Sequence, residues 1–475
     1  MNFAISKGLL ISSLMVVAAT MSPHAHAQKA PLPVPAAVLS EVQVPGTTPM
    51  GAAPIDLAAF KYTEREFYAS GKANRYRGTL PEALATAERI DGNWPYKTRV
   101  LVRAPQAARF NGTLVVEWAN VTVGQDIDFA FAEGYEYLLR EGYAVAVVSA
   151  QKIGVDRLKT WSPARYGSLS VDADNTDPKD GAKIDVASNN PAGDPLSWDI
   201  MAQISKALKV NAGPHPPLPT MKVRHVIALG ESQSGSRLTV YYNAIQPLHR
   251  FFDGFVYFDL AKQRRPDLAV PSIAVTSEAT APLYPPFTTS KYTRIWAVAG
   301  STHASLQGVS YIDKMVVRDK SLGGKSFTQI IEGSRCELNP PFSPVDHGLV
   351  LHAALHAVNQ WIRTGKEAAP TREIQRDASG AVVRDAKGMA QGGVQIAQFL
   401  APTAFFAPNG PSLFCKLSGH HRPFTAEELK ARYGTHDNYL VQVRSAMRRA
   451  REEGYILPVD EWEAIAAAEA SGVAR

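Results

Sequence analysis

Apolar and polar positions change their period several times along this chain, and each change marks an element. Phe60 to Tyr68 and Thr98 to Val102 alternate apolar with polar residues, the pattern of an antiparallel pair with one exposed face. From Thr113 onward the apolar runs become short and nearly unbroken. They are Thr113 to Trp118 (TLVVEW), Tyr143 to Ser149 (YAVAVVS), Val223 to Leu229, Gly254 to Phe258, Ser272 to Ser277 and Arg294 to Ala299. Runs of this kind read as strands buried on both faces. Between them, Phe129 to Arg140, Trp198 to Leu208 and the residues from Leu238 to Ile245 place apolar side chains at helical spacing. Strands alternating with helices predict parallel βαβ units. The expected sheet has eight strands: two at one edge, then six joined by crossovers.

The fifth expected strand breaks at Gly230 and resumes as a helix, with Ser232 in the turn and Ser234 two residues on. This is G-x-S-x-G with serine at the second small position. Such a nucleophile elbow needs small flanks because strand and helix nearly touch, and the strained turn lifts the serine hydroxyl over the strand end. Strand order and elbow together predict an α/β-hydrolase fold. In open parallel sheets the site lies beyond the carboxyl ends of the strands. Those ends carry Trp118-Ala119-Asn120-Val121, Ser232, Asp259, Glu278 and, in RIWAVAGSTHAS, His303. Ser, acid, His is the chain order of this fold. A serine hydroxyl needs a base to take its proton, and the acid sets the imidazole tautomer. Ser232 is thus the candidate nucleophile and His303 the candidate base, with His347 in reserve. Glu278 is expected to be the acid, with Asp259 as its rival, since Lys262 offers Asp259 a surface partner. The N–H of Gln233, with that of Asn120 or Val121, is the candidate oxyanion hole. Ser234 and Glu231 read as packing or locally paired residues.

The N-terminus changes the setting. Lys7, the apolar stretch Gly8 to Ala19 and Ala25-His26-Ala27 are the three parts of a cleavable signal peptide over residues 1–27. A periplasmic or secreted location follows as an expectation, with no membrane span. Residues 28–475 are expected to form one hydrolase domain, preceded by a Pro-rich extended arm. Only two cysteines occur, Cys336 and Cys415, and an oxidising compartment favours pairing them. The net charge of +6, which falls to +5 without Lys7, is scattered rather than gathered in a basic stripe. That speaks against nucleic acid. His352 and His356 have metal-ligand spacing, but HAALH lacks the glutamate of H-E-x-x-H, so core or surface roles are expected and no metal or other cofactor. Leu169 to Pro195 is polar and Pro/Gly-rich, an insertion that could cap the site while making few core contacts. Residues 421–475 read as a helical extension packed on the main domain.

The segments VEWANV, GESQSG, AGSTHAS and GHHRPF…ARYGTHDNYL together resemble the bacterial exported "alpha/beta hydrolase domain" family, over about Gly71 to Ala470. The resemblance implies the fold and a serine esterase mechanism, with Ser232 as nucleophile and His303 as base. Relatives tend to read Glu-x-Asp where this chain has Glu278-Ala279-Thr280, so of their acids the resemblance leaves Glu278. Relatives also tend to carry leucine at Ala119 and a small residue at Val123, so the oxyanion loop departs from the pattern. The expected function is ester hydrolysis through an acyl-enzyme on a small or polymeric ester. The alternatives are a peptidase, lactonase or polyester depolymerase using the same triad, or a non-catalytic binding module on this scaffold.

Overall fold

The computed structural model describes residues 30–475 except 188, 214, 260, 261, 286, 287, 335, 408, 409 and 411; the expected signal peptide lies outside the described residues. One sheet of nine strands runs in the order β1-β2-β3-β5-β4-β6-β7-β8-β9. Its members are β1 (Val38–Glu41), β2 (Tyr62–Arg77), β3 (Glu88–Pro105), β4 (Thr113–Trp118), β5 (Ala144–Val148), β6 (His225–Glu231), β7 (Gly254–Phe258), β8 (Ser272–Ser277) and β9 (Thr293–Val298). The six strands from β5 to β9 in this order are parallel, and β1, β2 and β3 add antiparallel. The α/β-hydrolase architecture is as expected, with one strand more. β1 comes from the Pro-rich arm: its four residues contain no proline, so their backbone can pair with β2 from Val38↔Ser70 to Glu41↔Phe67.

Alternation along each strand sorts side chains to two faces. Val115, Val145, Ile227, Leu229, Val256, Phe258, Ile273 and Val275 enter one core beneath the helices Phe129–Arg140 and Gly348–Thr364. Leu114, Val116, Ala144, Val226, Ala228, Phe255 and Tyr257 enter the other, against the helix Ser197–Val210. The edge pair departs from expectation. β2 and β3 are far longer than the alternating segments, and polar positions meant for solvent are buried. Arg103 lies between Asp128 (2.6 Å) and Glu64 (2.7 Å), and Arg99 between Glu66 (3.2 Å) and Asp126 (3.6 Å). Charges go inside only when paired, and pairing is what a linear pattern cannot display.

The Leu169–Pro195 insertion is also held more firmly than its composition suggests. Asp185 forms a buried ion pair with Arg237 of the elbow helix at 2.6 Å, and its Oδ2 accepts from the Asp194 N–H. Asp194 in turn accepts from the Lys152 N–H and the Gln151 amide. The expectation of few core contacts therefore fails. Cys336 and Cys415 form a disulfide, with 5.4 Å between Cα atoms. In the C-terminal extension, Asp460 meets Arg140 at 3.1 Å and Tyr455 stands edge-on to Trp296. Among the described residues, no helix is long and apolar enough to cross a membrane.

Candidate active site

β6 ends at Glu231 and the elbow helix, Ser232–Val240, begins at the next residue. Ser232 takes φ +50°, the left-handed region that strains a side chain. The close approach required of the motif is visible at Gly230: a Cβ there would lie 3.0 Å from the Ser234 carbonyl group. Ser234 is buried and its hydroxyl accepts from the Glu231 N–H (3.0 Å) and donates to the Glu231 carbonyl (2.8 Å). It braces the turn, and the hydroxyl free to face the strand ends is that of Ser232.

His303, in the loop after β9, places Nε2 2.8 Å from Ser232 Oγ. Its Nδ1 lies 2.9 Å from Asp259 Oδ2. Register explains the meeting: β6 and β7 pair through Glu231↔Phe258, so Ser232 and Asp259 both stand one residue beyond the paired ends. Asp259 repeats the serine's left-handed backbone at φ +51°. Its Oδ1 accepts from the Ser277 N–H (2.8 Å) and Thr280 Oγ1 (3.0 Å), leaving Oδ2 for the imidazole.

This corrects the expectation for the acid. Glu278 does not reach His303: its Oε2 accepts from the Gly300 N–H (2.6 Å) and its Oε1 pairs with Arg384 (2.6 Å). β8 and β9 pair through Ser277↔Val298, so Glu278 runs beside the start of the histidine loop, which then turns back towards β7. Lys262, the surface partner expected for Asp259, pairs with Glu82 instead (2.7 Å). Burial works against the charge of Asp259, but His303 and His347 outweigh it and hold the carboxyl down at about 2. Burial likewise opposes the imidazolium of His303, but Asp259 and then Glu231 raise the ring to about 9.

Of the oxyanion candidates, Asn120 is corrected. Its N–H donates to Ile127 O (2.9 Å), and its side-chain amide donates to the Glu231 carbonyl (3.0 Å) and carboxyl (2.7 Å). Gln233 is the second residue of the elbow helix, where a backbone N–H has no partner within the helix. The Val121 N–H faces Gln233 Oε1 only at 3.5 Å. The Gln233 N–H directly follows Ser232 in the chain, and the Val121 N–H meets it through the Gln233 side chain. The Gln233 side chain donates to Gln151, and Asn189 of the insertion donates to Val121 O (2.8 Å). The insertion thus holds the loop that follows β4.

The remaining histidines have separate settings. His347 is fully buried, stacked on Phe258 at 4.6 Å, with Nε2 3.7 Å from Asp259 Oδ2. It lies behind the acid and does not face Ser232. His352 faces Asp460 at 3.3 Å, and His356 meets the Tyr137 hydroxyl at 3.3 Å. Glu231, expected to pack or pair locally, reaches His303. Its Oε1 lies 3.3 Å from His303 Nε2, and its place beside the serine was the one available clue. Nothing in the local sequence marked Glu133 or Leu417. Glu133 accepts from the Ser305 N–H and hydroxyl, and Leu417 O accepts from the His303 N–H (2.9 Å).

A left-handed serine between a parallel strand and a helix, facing a histidine backed by a carboxylate, defines an α/β hydrolase. The chain belongs to the alpha/beta hydrolase domain family, whose family model matches residues 28–466. No curated protein matches it in sequence. Solved structures share parts of it at low identity. A serine hydrolase without a lid from Xanthomonas campestris is 10% identical, covering 44% of this chain and 72% of its own, with a TM-score of 0.24. The closed state of Candida antarctica lipase A is 9% identical, covering 49% of this chain and 44% of its own, with a TM-score of 0.23. The rice cell wall degrading esterase LipA from Xanthomonas oryzae is 13% identical, covering 47% of this chain and 45% of its own, with a TM-score of 0.23.

Proposed function

We propose that this hydrolase is an exported serine carboxylic ester hydrolase working through an acyl-enzyme. The observation that carries the reading is the pair of contacts on one imidazole, Nε2 to Ser232 Oγ at 2.8 Å and Nδ1 to Asp259 Oδ2 at 2.9 Å. Nε2 takes the serine proton as Oγ bonds to the acyl carbon. The carbonyl oxygen gains negative charge where the N–H groups of Gln233 and Val121 can receive it. The imidazolium then gives its proton to the departing alcohol, and water repeats the sequence to release the acid. Asp259 holds the Nδ1–H tautomer and stabilises the imidazolium.

Labelling with a fluorophosphonate, followed by a panel of nitrophenyl esters of different acyl length, tests this. Ser232 is expected to be labelled, and Ser232→Ala is expected to lose labelling and about 10⁴-fold or more in turnover while remaining folded. Labelling retained in Ser232→Ala would overturn the assignment.

A further inference from the structure

Glu231 occupies a position that the serine–histidine–aspartate set does not require. It ends β6, so its backbone direction follows from the strand and its side chain projects beside the nucleophile. The amide of Asn120 donates to its Oε2 at 2.7 Å and fixes the carboxyl. Oε1 is thereby directed to within 3.3 Å of His303 Nε2, the atom that must receive the serine proton. The carboxyl is buried. The groups facing it come from five elements: His303 after β9, Asn120 after β4, Asp259 after β7, Glu133 on the helix Phe129–Arg140, and Tyr284 after β8.

We propose that Glu231 is a second carboxyl of the catalytic centre, which shares one proton with His303 and so sets the pH at which the imidazole becomes a free base. This rests on the reading of Ser232 and His303 given above. The pair has two forms holding the same number of protons. In one, the imidazolium faces a Glu231 carboxylate; in the other, a neutral imidazole faces the carboxylic acid. In the first Nε2 carries the proton and in the second its lone pair faces the Glu231 O–H, so Nε2 is able to accept from Ser232 Oγ once the shared proton has left the pair. Burial, reinforced by Asp259 and Glu133 and opposed by His303 and Asn120, pushes Glu231 up to about 8, which brings its titration close to that of the imidazole. Two groups so close titrate as a pair. When Nε2 takes the serine proton during attack, the new imidazolium N–H lies against Glu231 Oε1. The carboxyl therefore acts on the side of the ring opposite to Asp259.

Replacing the carboxyl by an amide removes the charge and keeps an oxygen for Asn120. The acid limb of kcat/KM reports the base of the free enzyme. An opposite charge at this distance raises a histidine pKa by about one to three units, so its removal should move the limb down by about that much. The experiment measures nitrophenyl ester hydrolysis against pH, with fluorophosphonate labelling of Ser232 in parallel, for the full protein, Glu231→Gln and Glu231→Asp. The expected result is an acid limb at lower pH for Glu231→Gln. Glu231→Asp keeps the charge but draws it back by one methylene, so a smaller shift in the same direction is expected; it serves also if the glutamine variant does not fold. A merely structural glutamate would change amounts of active protein without moving the limb. Superimposable profiles with Ser232 labelled in each protein would overturn this inference alone. Absence of Ser232 labelling in the parent would overturn the esterase reading and this inference with it.

Discussion

The two halves of the proposed catalytic centre are built in opposite ways. The proposed nucleophile is placed by contiguous chain: β6, Gly230, a left-handed Ser232 and a helix braced by Ser234, all between His225 and Val240. The histidine is placed by distant chain. Its loop is held by Leu417 at the His303 N–H and by Glu133 at Ser305. Ser343 donates through its N–H to Thr302 Oγ1 (2.9 Å) and through its hydroxyl to Gly300 O (2.6 Å). Glu278 accepts from the Gly300 N–H. A strained turn can be written locally, because sterics between neighbours decide it. A loop that must reach across two strand ends has no such local code, so several separate segments must each contribute a bond.

This contrast can be tested by breaking each half. The largest effect is expected at the acid. Asp259→Asn keeps the shape but favours the wrong imidazole tautomer, and kcat should fall by roughly 10⁴-fold. Glu278→Gln should stay within about tenfold, since its amide oxygen can still accept from the Gly300 N–H and what is lost is the pair with Arg384. Steady-state kinetics of the two variants decide it, and the reverse pattern would return the acid to the end of β8.

Removing the disulfide should weaken the histidine half next. Cys336 and Cys415 close a span of 79 residues, and their segments carry Phe342, whose N–H donates to Ser418 O, and Leu417, which holds His303. In the chain-entropy view such a closure is worth about 4 kcal/mol. The Cys336→Ser/Cys415→Ser protein should show a lower denaturation midpoint, with kcat falling more than KM changes. An unchanged kcat in the folded double variant would show that the loop is held without the staple.

The smallest effect is expected where the design is most local. Gly230→Ala introduces a Cβ 3.0 Å from the backbone of Ser234, where nothing flexible can move aside. Overpacking of this kind costs about 1–3 kcal/mol. Thermal unfolding should register that loss, and Ser232 should become slower to react with a fluorophosphonate. A variant with the parent's melting point and labelling rate would mean that strand and helix are free to separate.

The apolar pattern by itself determined the six parallel strands, because a strand buried on both faces is apolar over nearly all its length. It also determined the elbow, where small residues at Gly230 and Ser234 answer a steric demand between neighbours. Pairing the two cysteines needed only their number and the compartment the N-terminus suggests. The tertiary structure alone decided which carboxylate stands against His303. Asp259 and Glu278 both stand at strand ends and are chemically alike, so only the register of β6 on β7 and the return of the histidine loop distinguish them. It alone decided that Arg99, Arg103 and Asp185 would be buried, since a buried charge depends on a partner far away in the chain. The position of Glu231 has the same origin: its carboxyl matters because Asn120 and His303, more than a hundred residues before it and some seventy after, converge on it.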